Sequence, residues 1–530
     1  MLSTSMLGTQ LVFPTNQRSD LSRSPVVRMN YEPFSHRPSE PLKREGPQPE
    51  ATKNFLSSRI GMTFGKIASV PLHFVVVGGG ITGLTCAFGL RLIGYSVTIL
   101  EMKTAPHFRQ TTESETCRIP PNLTKILYKW GLCEAIQDIS MLCKAIHMLQ
   151  LDTREYLGGY AWDDDLLSET EGELAFVQHA QLWELLYRIA IRSGVDYRFN
   201  GEVVCVDPAQ AVVTLKSGEV VEGDVVVGAD GLDGICLQYM KYSDTLLGDT
   251  GVKMINVTTS KQVILDQLNV VSPSESHVAD MFVWMGNGLS IMGLPIVRPD
   301  TYNPDSNTYA KFCENNPDFY ISIYAYNDLH SRDLHDFESR GKNIPLRGVL
   351  PEWVNGRLVI IGSAAHPLPP GSLQAHALAV EDGAVLARLF SHLSSANQID
   401  DLLRAFQTVR QPRCDEIHTR EYGIVFFMTM SPGPEEEYRD HALRVRRDAC
   451  SSIISGNLDL IGTMEEREVR DIFGYDALEE ADQWWAGWGI CRERSETSTP
   501  GSLLLGTLHG KRLVVEVERS KSVTVLPLFP

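Results

Sequence analysis

Residues His73–Val77 form a short β-branched run that ends directly in Gly78-Gly79-Gly80-Ile81-Thr82-Gly83, and an apolar stretch suited to a helix follows as far as Leu92. Gly94 ends that stretch, and Ser96–Glu101 reads as a second strand. Strand, glycine turn, helix and strand in this order predict a βαβ unit with a parallel sheet. The first glycine permits the tight turn, the second lets backbone approach a pyrophosphate, and the third lets the helix pack on the strand. Free N–H groups and the positive dipole end of the helix then face the phosphates. Glu101 lies eighteen residues after Gly83, where a carboxylate can accept hydrogen bonds from a ribose. Gly78, Gly80, Gly83 and Glu101 are therefore expected to bind a dinucleotide.

A chain of 530 residues exceeds what one hydrophobic core usually serves, so a second unit is expected beside the α/β one. The net charge of −18 argues against a nucleic-acid partner, which would need a basic face. Small molecules are the expected ligands. The ten cysteines include no CxxC pair and no close Cys/His set, so neither zinc nor another metal is expected, nor a disulfide framework. Apolar runs such as 424–428 fall far short of the roughly 20 residues that span a bilayer. The first sixty residues are rich in Ser, Pro and Arg, lack the apolar core of a secretory signal, and are expected to be a disordered extension. A cytoplasmic location is expected; Arg18, Arg23 and Arg28 give only a weak transit-like signal, diluted by Asp20 and Glu32.

Beyond the opening unit, 121–131 and 179–193 have helical spacing, and 202–207, 211–215 and 220–227 read as strands. Residues 239–346 lack helical periodicity and contain strand-like pieces at 281–285, 289–295 and 319–326. The α/β pattern returns at 357–361, with a helix over 377–393, helical segments to about 489 and a strand-like tail at 513–525. The expected division is an extension at 1–70, a GxGxxG-type domain at 71–238 and 347–395, an inserted β-rich substrate domain at 239–346, a helical region at 396–495 and a tail at 496–530.

Two later motifs give the opening turn a family. The run GDVVVGADG at 223–231, the run GRLVIIGSAAHPLPP at 356–370, and Glu381-Asp382 within VEDGAVLARLFSHL resemble the FAD-dependent monooxygenases of the para-hydroxybenzoate and salicylate hydroxylase family, fungal salicylate-hydroxylase-like members most of all. The resemblance spans about 72–489. It implies one extended FAD, with its ADP half in the βαβ unit and its ring beside the β-rich region. NAD(P)H would dock transiently to reduce the flavin, and O₂ would supply the oxygen atom inserted into an aromatic ring. It also implies cofactor contacts at Asp230 and Gly231, at His179, at Ser363, and at Gln374 and Ala375.

Several of these positions depart from the family pattern. Ser363 stands where an aspartate usually meets the ribityl chain, and His179 where an arginine is usual. Gly234 and Leu237 replace the usual Ser and Arg, and Leu373-Gln374-Ala375 replaces Gly-Gln-Gly. His366 is expected to pack and bond locally, Trp484, Trp485 and Trp488 to act as a packing group, and the acidic run 163–173 to be a solvated loop. No catalytic residue is singled out. The expected activity is NAD(P)H-dependent aromatic hydroxylation, with decarboxylation where the substrate carries a ring carboxylate. Two rivals stay open: epoxidation of a prenyl or indole intermediate, and a flavin-poor paralogue that binds without turnover.

Overall fold

The computed structural model describes residues 69–104, 115–161, 169–241, 246–260, 280–296, 318–326, 341–448, 470–489, 503–508, 511–516 and 524–527. The expected extension at 1–70 and the acidic residues 163–165 lie almost wholly outside them. The chain runs β1 (His73–Val77), α1 (Ile81–Leu92), β2 (Ser96–Glu101), β3 (Thr116–Ile119), α2 (Pro121–Lys129), α3 (Cys133–Gln137), β4 (Ser140–Leu142), β5 (Ala145–Gln150) and β6 (Tyr156–Ala161). It continues through β7 (Ala175–Gln178), α4 (His179–Arg192), β8 (Asp196–Phe199), β9 (Val203–Asp207), β10 (Val212–Leu215), β11 (Val220–Glu222) and β12 (Val225–Gly228). Then come β13 (Leu246–Ser260), β14 (Met281–Gly286), β15 (Leu289–Ile296), β16 (Asp318–Tyr326), β17 (Lys342–Arg347), β18 (Val354–Asn355) and β19 (Leu358–Ile360). Last are α5 (Ala375–Phe390), α6 (Ile399–Met428), α7 (Pro434–Asp448), α8 (Ala477–Trp484), β20 (Leu503–Leu508), β21 (Lys511–Glu516) and β22 (Thr524–Pro527).

The fold is α/β, as expected. A six-stranded sheet has the order β18-β19-β12-β1-β2-β8, parallel from β19 to β8. Its central strands are valine runs with no exposed surface at Val75, Val76, Val226 and Val227, because helices or other elements cover both faces. Helix α1 crosses α5 at glycines. A Cβ on Gly383 would sit 2.8 Å from the Cys86 backbone nitrogen, and one on Gly89 3.2 Å from the Ala387 side chain. This close approach fixes the N-termini of both helices along one edge of the sheet.

The second sheet has seven strands in the order β17-β13-β16-β15-β14-β5-β6, antiparallel except where β14 runs beside β5. It therefore draws two strands, β5 and β6, from well before residue 239. Their segments contain Gly158 and Gly159 and weak alternation, so they carry little strand signal. Side chains alternate between two cores: Met281, Val283 and Met285 face one, while Phe282 and Trp284 face the other. The first of these cores also takes Met292, Leu294, Tyr320 and Tyr324, and the end of α6 packs on it through Val425 and Met428. The tail forms a three-stranded meander, β20-β21-β22. No described helix is long and apolar enough to cross a membrane.

Candidate functional site

Three loops converge at the C-terminal ends of the parallel strands. Gly78 has φ +104°, and a Cβ there would meet the Ala229 carbonyl oxygen at 2.4 Å. A Cβ on Gly83 would sit 2.0 Å from the Gly78 oxygen, whereas one on Gly80 would meet nothing within 4 Å. The first and third glycines are thus demanded by the protein's own backbone, and the second opens onto free space. Gly80 caps α1 without a side-chain bond, so the helix N-terminus keeps donors directed at that space. Gly79 anchors the turn: its N–H donates to Glu101 Oε2 at 2.8 Å, and its carbonyl accepts from Trp183 Nε1 at 2.8 Å and Tyr197 Oη at 3.1 Å. Glu101 is buried and also accepts from the Lys103 N–H.

Asp230 and Gly231 follow β12 and abut the Gly78 turn. Asp230 Oδ2 accepts from the Cys236 N–H at 3.0 Å, its Oδ1 has no hydrogen-bond partner, and burial raises its pKa. A Cβ on residue 234 would meet this carboxylate at 2.2 Å, so in this chain the Asp230 side chain lies directly over the Gly234 backbone. Ser363 Oγ lies 3.7 Å from where a Gly231 Cβ would be, and its side chain is exposed. Gly362, at φ +64°, turns the chain against Thr82 at the start of α1.

Behind Ser363 lies a buried charge network. Asp382 Oδ2 accepts from the Gly362 N–H at 2.8 Å and contacts His366 Nε2 at 2.6 Å, while Oδ1 takes Arg410 Nε at 2.8 Å. Glu381 bonds Arg410 Nη1 at 2.8 Å and Asn122 Nδ2 at 2.6 Å. Burial alone would lower the His366 pKa, but Cys414 and the Asp382 carboxylate outweigh it and raise it to about 10. His366 packs and bonds locally, as the sequence indicates. His366, Asp382 and Cys414 approach one another closely, but the Arg410 guanidinium already occupies the cluster, 3.8 Å from Cys414 Sγ. Trp484 and Trp485 also pack against the main core, and Trp485 stacks on His392 with centroids 4.7 Å apart; the Trp488 side chain lies outside the described residues. Glu173 is more than a solvated loop residue, because it accepts a bond from the Tyr128 hydroxyl.

The other end of the site is a cavity of about 680 Å³. Its walls are the inner face of the seven-stranded sheet (Met254, Asn256, Met292, Tyr320), the loop Pro369-Pro370-Gly371-Ser372, Arg118 on β3, and His376 on the first turn of α5. Gln374 caps α5; its Oε1 accepts from Asn122 and its Nε2 is buried without a partner. The buried Glu421, its pKa raised by burial, accepts the Leu373 and Gln374 N–H groups at 3.2 and 2.9 Å. His179 and His376 meet edge to face at 5.5 Å, and His376 Nε2 lies 3.5 Å from Cys117 Sγ. Burial lowers the His179 pKa to about 4, with Lys103 adding to it, and that of His376 to about 3, with His179 and Arg118 adding. Both rings are neutral at pH 7, and His179 Nδ1 has no partner.

The sequence candidates therefore fall in two groups. Gly78, Gly80, Gly83, Glu101, Asp230, Gly231 and Ser363 gather at the sheet edge, while His179, Gln374 and Ala375 gather at the cavity. Sequence reasoning missed Arg118, Asn122, His376 and Glu421, whose residue types carry no fixed spacing.

Residues 76–124 match the model of the NAD(P)-binding Rossmann-like domain family. The chain is 28% identical to the FAD-dependent monooxygenase OpS4 of Beauveria bassiana, over 78% of this chain and 97% of that one. It is 26% identical to 3-amino-4-hydroxybenzoate 2-monooxygenase PtnB3 of Streptomyces platensis, over 70% and 92%. A salicylate hydroxylase solved as a substrate complex shares the fold, with TM-score 0.56, 16% identity, and coverage of 78% of this chain and 97% of that one. Over most of its length the chain is similar to FAD-dependent aromatic monooxygenases, and it is an oxidoreductase that uses FAD with NAD(P)H as co-substrate.

Proposed function

We propose that this monooxygenase hydroxylates a small aromatic molecule of secondary metabolism, taking one oxygen atom from O₂ and reducing equivalents from NAD(P)H. The observation that carries the reading is the cavity itself. At about 680 Å³ it falls within the range of small-molecule sites, it combines apolar walls with convergent polar groups such as Arg118, Asn256, Lys342 and His376, and it opens beside the α5 N-terminus.

The residues present fit FAD. The open space at Gly80 and the uncapped α1 N-terminus suit a pyrophosphate. The remaining lone pairs of Glu101 suit a ribose, and three buried orphan atoms, Asp230 Oδ1, Gln374 Nε2 and His179 Nδ1, are polar groups that a ligand would satisfy. In this reading Gly78, Gly80, Gly83 and Glu101 hold the ADP half, Asp230, Gly231 and Ser363 the chain between, and His179, Gln374 and Ala375 the ring. The 71–238 and 347–395 segments serve the cofactor, and 239–346 with β5 and β6 serves the substrate. When bound, FAD supplies the redox chemistry that activates oxygen. The protein's share is to orient the aromatic ring between the methionine-lined sheet and the Pro369–Ser372 loop, and to keep bulk water out.

The test is the spectrum of the purified protein titrated with FAD, followed by anaerobic NAD(P)H with and without an aromatic acid or phenol. Substrate-stimulated bleaching, with oxygen consumption on re-aeration, supports the reading. A protein that stays colourless in millimolar FAD overturns it.

A further inference from the structure

Arg118 is an unusual group to find on the wall of this cavity. It projects from β3, is half-buried, and one of its Nη atoms donates to the Gly371 carbonyl. Its other Nη lies 3.8 Å from Met281 Sδ and 3.7 Å from Met292 Sδ, which are weak acceptors. No carboxylate comes within 4.0 Å of the guanidinium among the described residues. Glu421 feels the Arg118 charge but spends its oxygens on two backbone N–H groups, and Glu115 lies on the same cavity wall without an ion pair to it. Arginine cannot shed its charge, and a partly desolvated guanidinium with unused donors is costly unless something anionic meets it. The fully buried arginines described each have a carboxylate, Arg410 with Asp382 and Glu381, Arg413 with Glu381 and Arg439 with Asp440, whereas the half-buried Arg91 is met by the Ser193 and Tyr95 carbonyls. The second cation on the cavity wall, Lys342 of β17, reinforces the sign of the field there.

We infer that Arg118 determines specificity by pairing with an ionised oxygen substituent of the substrate, a carboxylate or an acidic phenol, and so selects anionic aromatic rings over their neutral isosteres. This rests on the aromatic-substrate reading above. The planar fork favours a bidentate partner, and the thioethers of Met281 and Met292 form a soft, apolar collar that excludes water from the pair. Arg118 thereby sets which edge of the ring points away from the Pro369–Ser372 loop.

The experiment measures binding by calorimetry to the FAD-reconstituted protein, with two matched probe pairs: 2-hydroxybenzoate against 2-hydroxybenzamide, and 1-hydroxy-2-naphthoate against its amide. The wild type is expected to prefer the acid of at least one pair by about tenfold or more, the size of a charge-assisted hydrogen bond. Arg118→Gln should bring that ratio below about threefold while Arg118→Lys keeps part of it, and both should retain the wild-type FAD affinity and thermal midpoint. Equal binding of acid and amide by the wild type, binding of neither pair, or a preference unchanged in Arg118→Gln overturns the inference. So does a loss of FAD affinity in Arg118→Gln with the ligand preference intact, because Arg118 would then belong to the cofactor. Failure of the aromatic-hydroxylation reading shows itself separately, as absent substrate-stimulated flavin reduction in a protein that still discriminates the probes.

Discussion

At the dinucleotide edge, backbone fixes one position after another: Gly78 against Ala229, Gly83 against Gly78, Gly362 against Thr82. Across the cavity the walls work by side chains, with Met292, Tyr320 and Asn256 on the seven-stranded sheet and Arg118 on β3, strands that any β-former could build. The first region blocks a Cβ at Gly78 and Gly83 with its own backbone and leaves Gly80 open; the second presents its chemistry on side chains. Binding of a shared cofactor therefore survives in one half while substrate choice drifts in the other.

The sharpest break of this comparison is Gly83→Ala against Gly80→Ala. At Gly83 the added methyl overlaps the Gly78 oxygen at 2.0 Å, so helix and turn must part; soluble yield should collapse or FAD affinity fall by about a hundredfold or more. At Gly80 the methyl meets no protein atom. There the thermal midpoint of the apoprotein should hold and only FAD affinity should fall, as read by fluorescence titration. Equal behaviour of the two variants would show that the turn is structural alone.

Next in size is the network that holds the Gly362 turn. Asp382→Asn leaves Arg410 and His366 buried without their shared carboxylate, at a cost of about 3–5 kcal/mol. The pH signature separates this from simple misfolding. The His366 pKa is raised from 6.5 to about 10, so its stabilisation is complete below pH 6.5 and is lost as pH rises through 10. The wild-type midpoint should decline over that alkaline window, and Asp382→Asn should flatten the slope, with Cys414 sustaining the remainder. A parallel slope in both proteins would refute the pairing.

A smaller effect of opposite sign belongs to the cavity end. His179 and His376 have pKa values lowered to about 4 and about 3, so the unfolded chain binds more protons below pH 6.5 and stability falls as pH drops from there toward 3. His376→Gln removes one of the two and should flatten the acid limb of the midpoint-versus-pH curve by a few degrees. Bound FAD that meets His179 Nδ1 should move the curve again, whereas identical curves with and without FAD would place the flavin away from this ring.

How much of this the sequence disclosed follows the same division. Gly78, Gly83 and Glu101 were legible because backbone sterics and a fixed strand–turn–helix spacing demand them. Strands β14, β15 and β16 were legible as apolar runs, since both sheet faces are buried. Strands β5 and β6 were not, because Gly158 and Gly159 interrupt β6 and the partner of β5, β14, lies more than a hundred residues away. Arg118 and His376 join one cavity only through the packing of β3 on β7 and of α1 on α5, and no local pattern encodes that. At Gly234 the Asp230 carboxylate occupies the space of a Cβ, a packing that no local pattern discloses.

The smallest expected effect tests whether the Ser363 departure is a loss or a neutral exchange. Ser363 is exposed and makes no hydrogen bond within the described chain, and its Oγ lies 3.7 Å from where a Gly231 Cβ would be. Two terms oppose each other. An ionised acceptor toward a ribityl hydroxyl adds about 1–2 kcal/mol, but the new charge comes close to the Asp230 carboxylate, whose pKa burial has already raised. Ser363→Asp should therefore tighten FAD binding by at most about tenfold, with an unchanged thermal midpoint, and Ser363→Ala should weaken it by about threefold. Titrating both variants in about 1 M salt sharpens the result, because screening removes more of the repulsion between exposed charges than of a buried hydrogen bond. If Ser363→Asp instead weakens FAD binding at every ionic strength, serine at this position is an adaptation to Asp230 and not a degraded remnant.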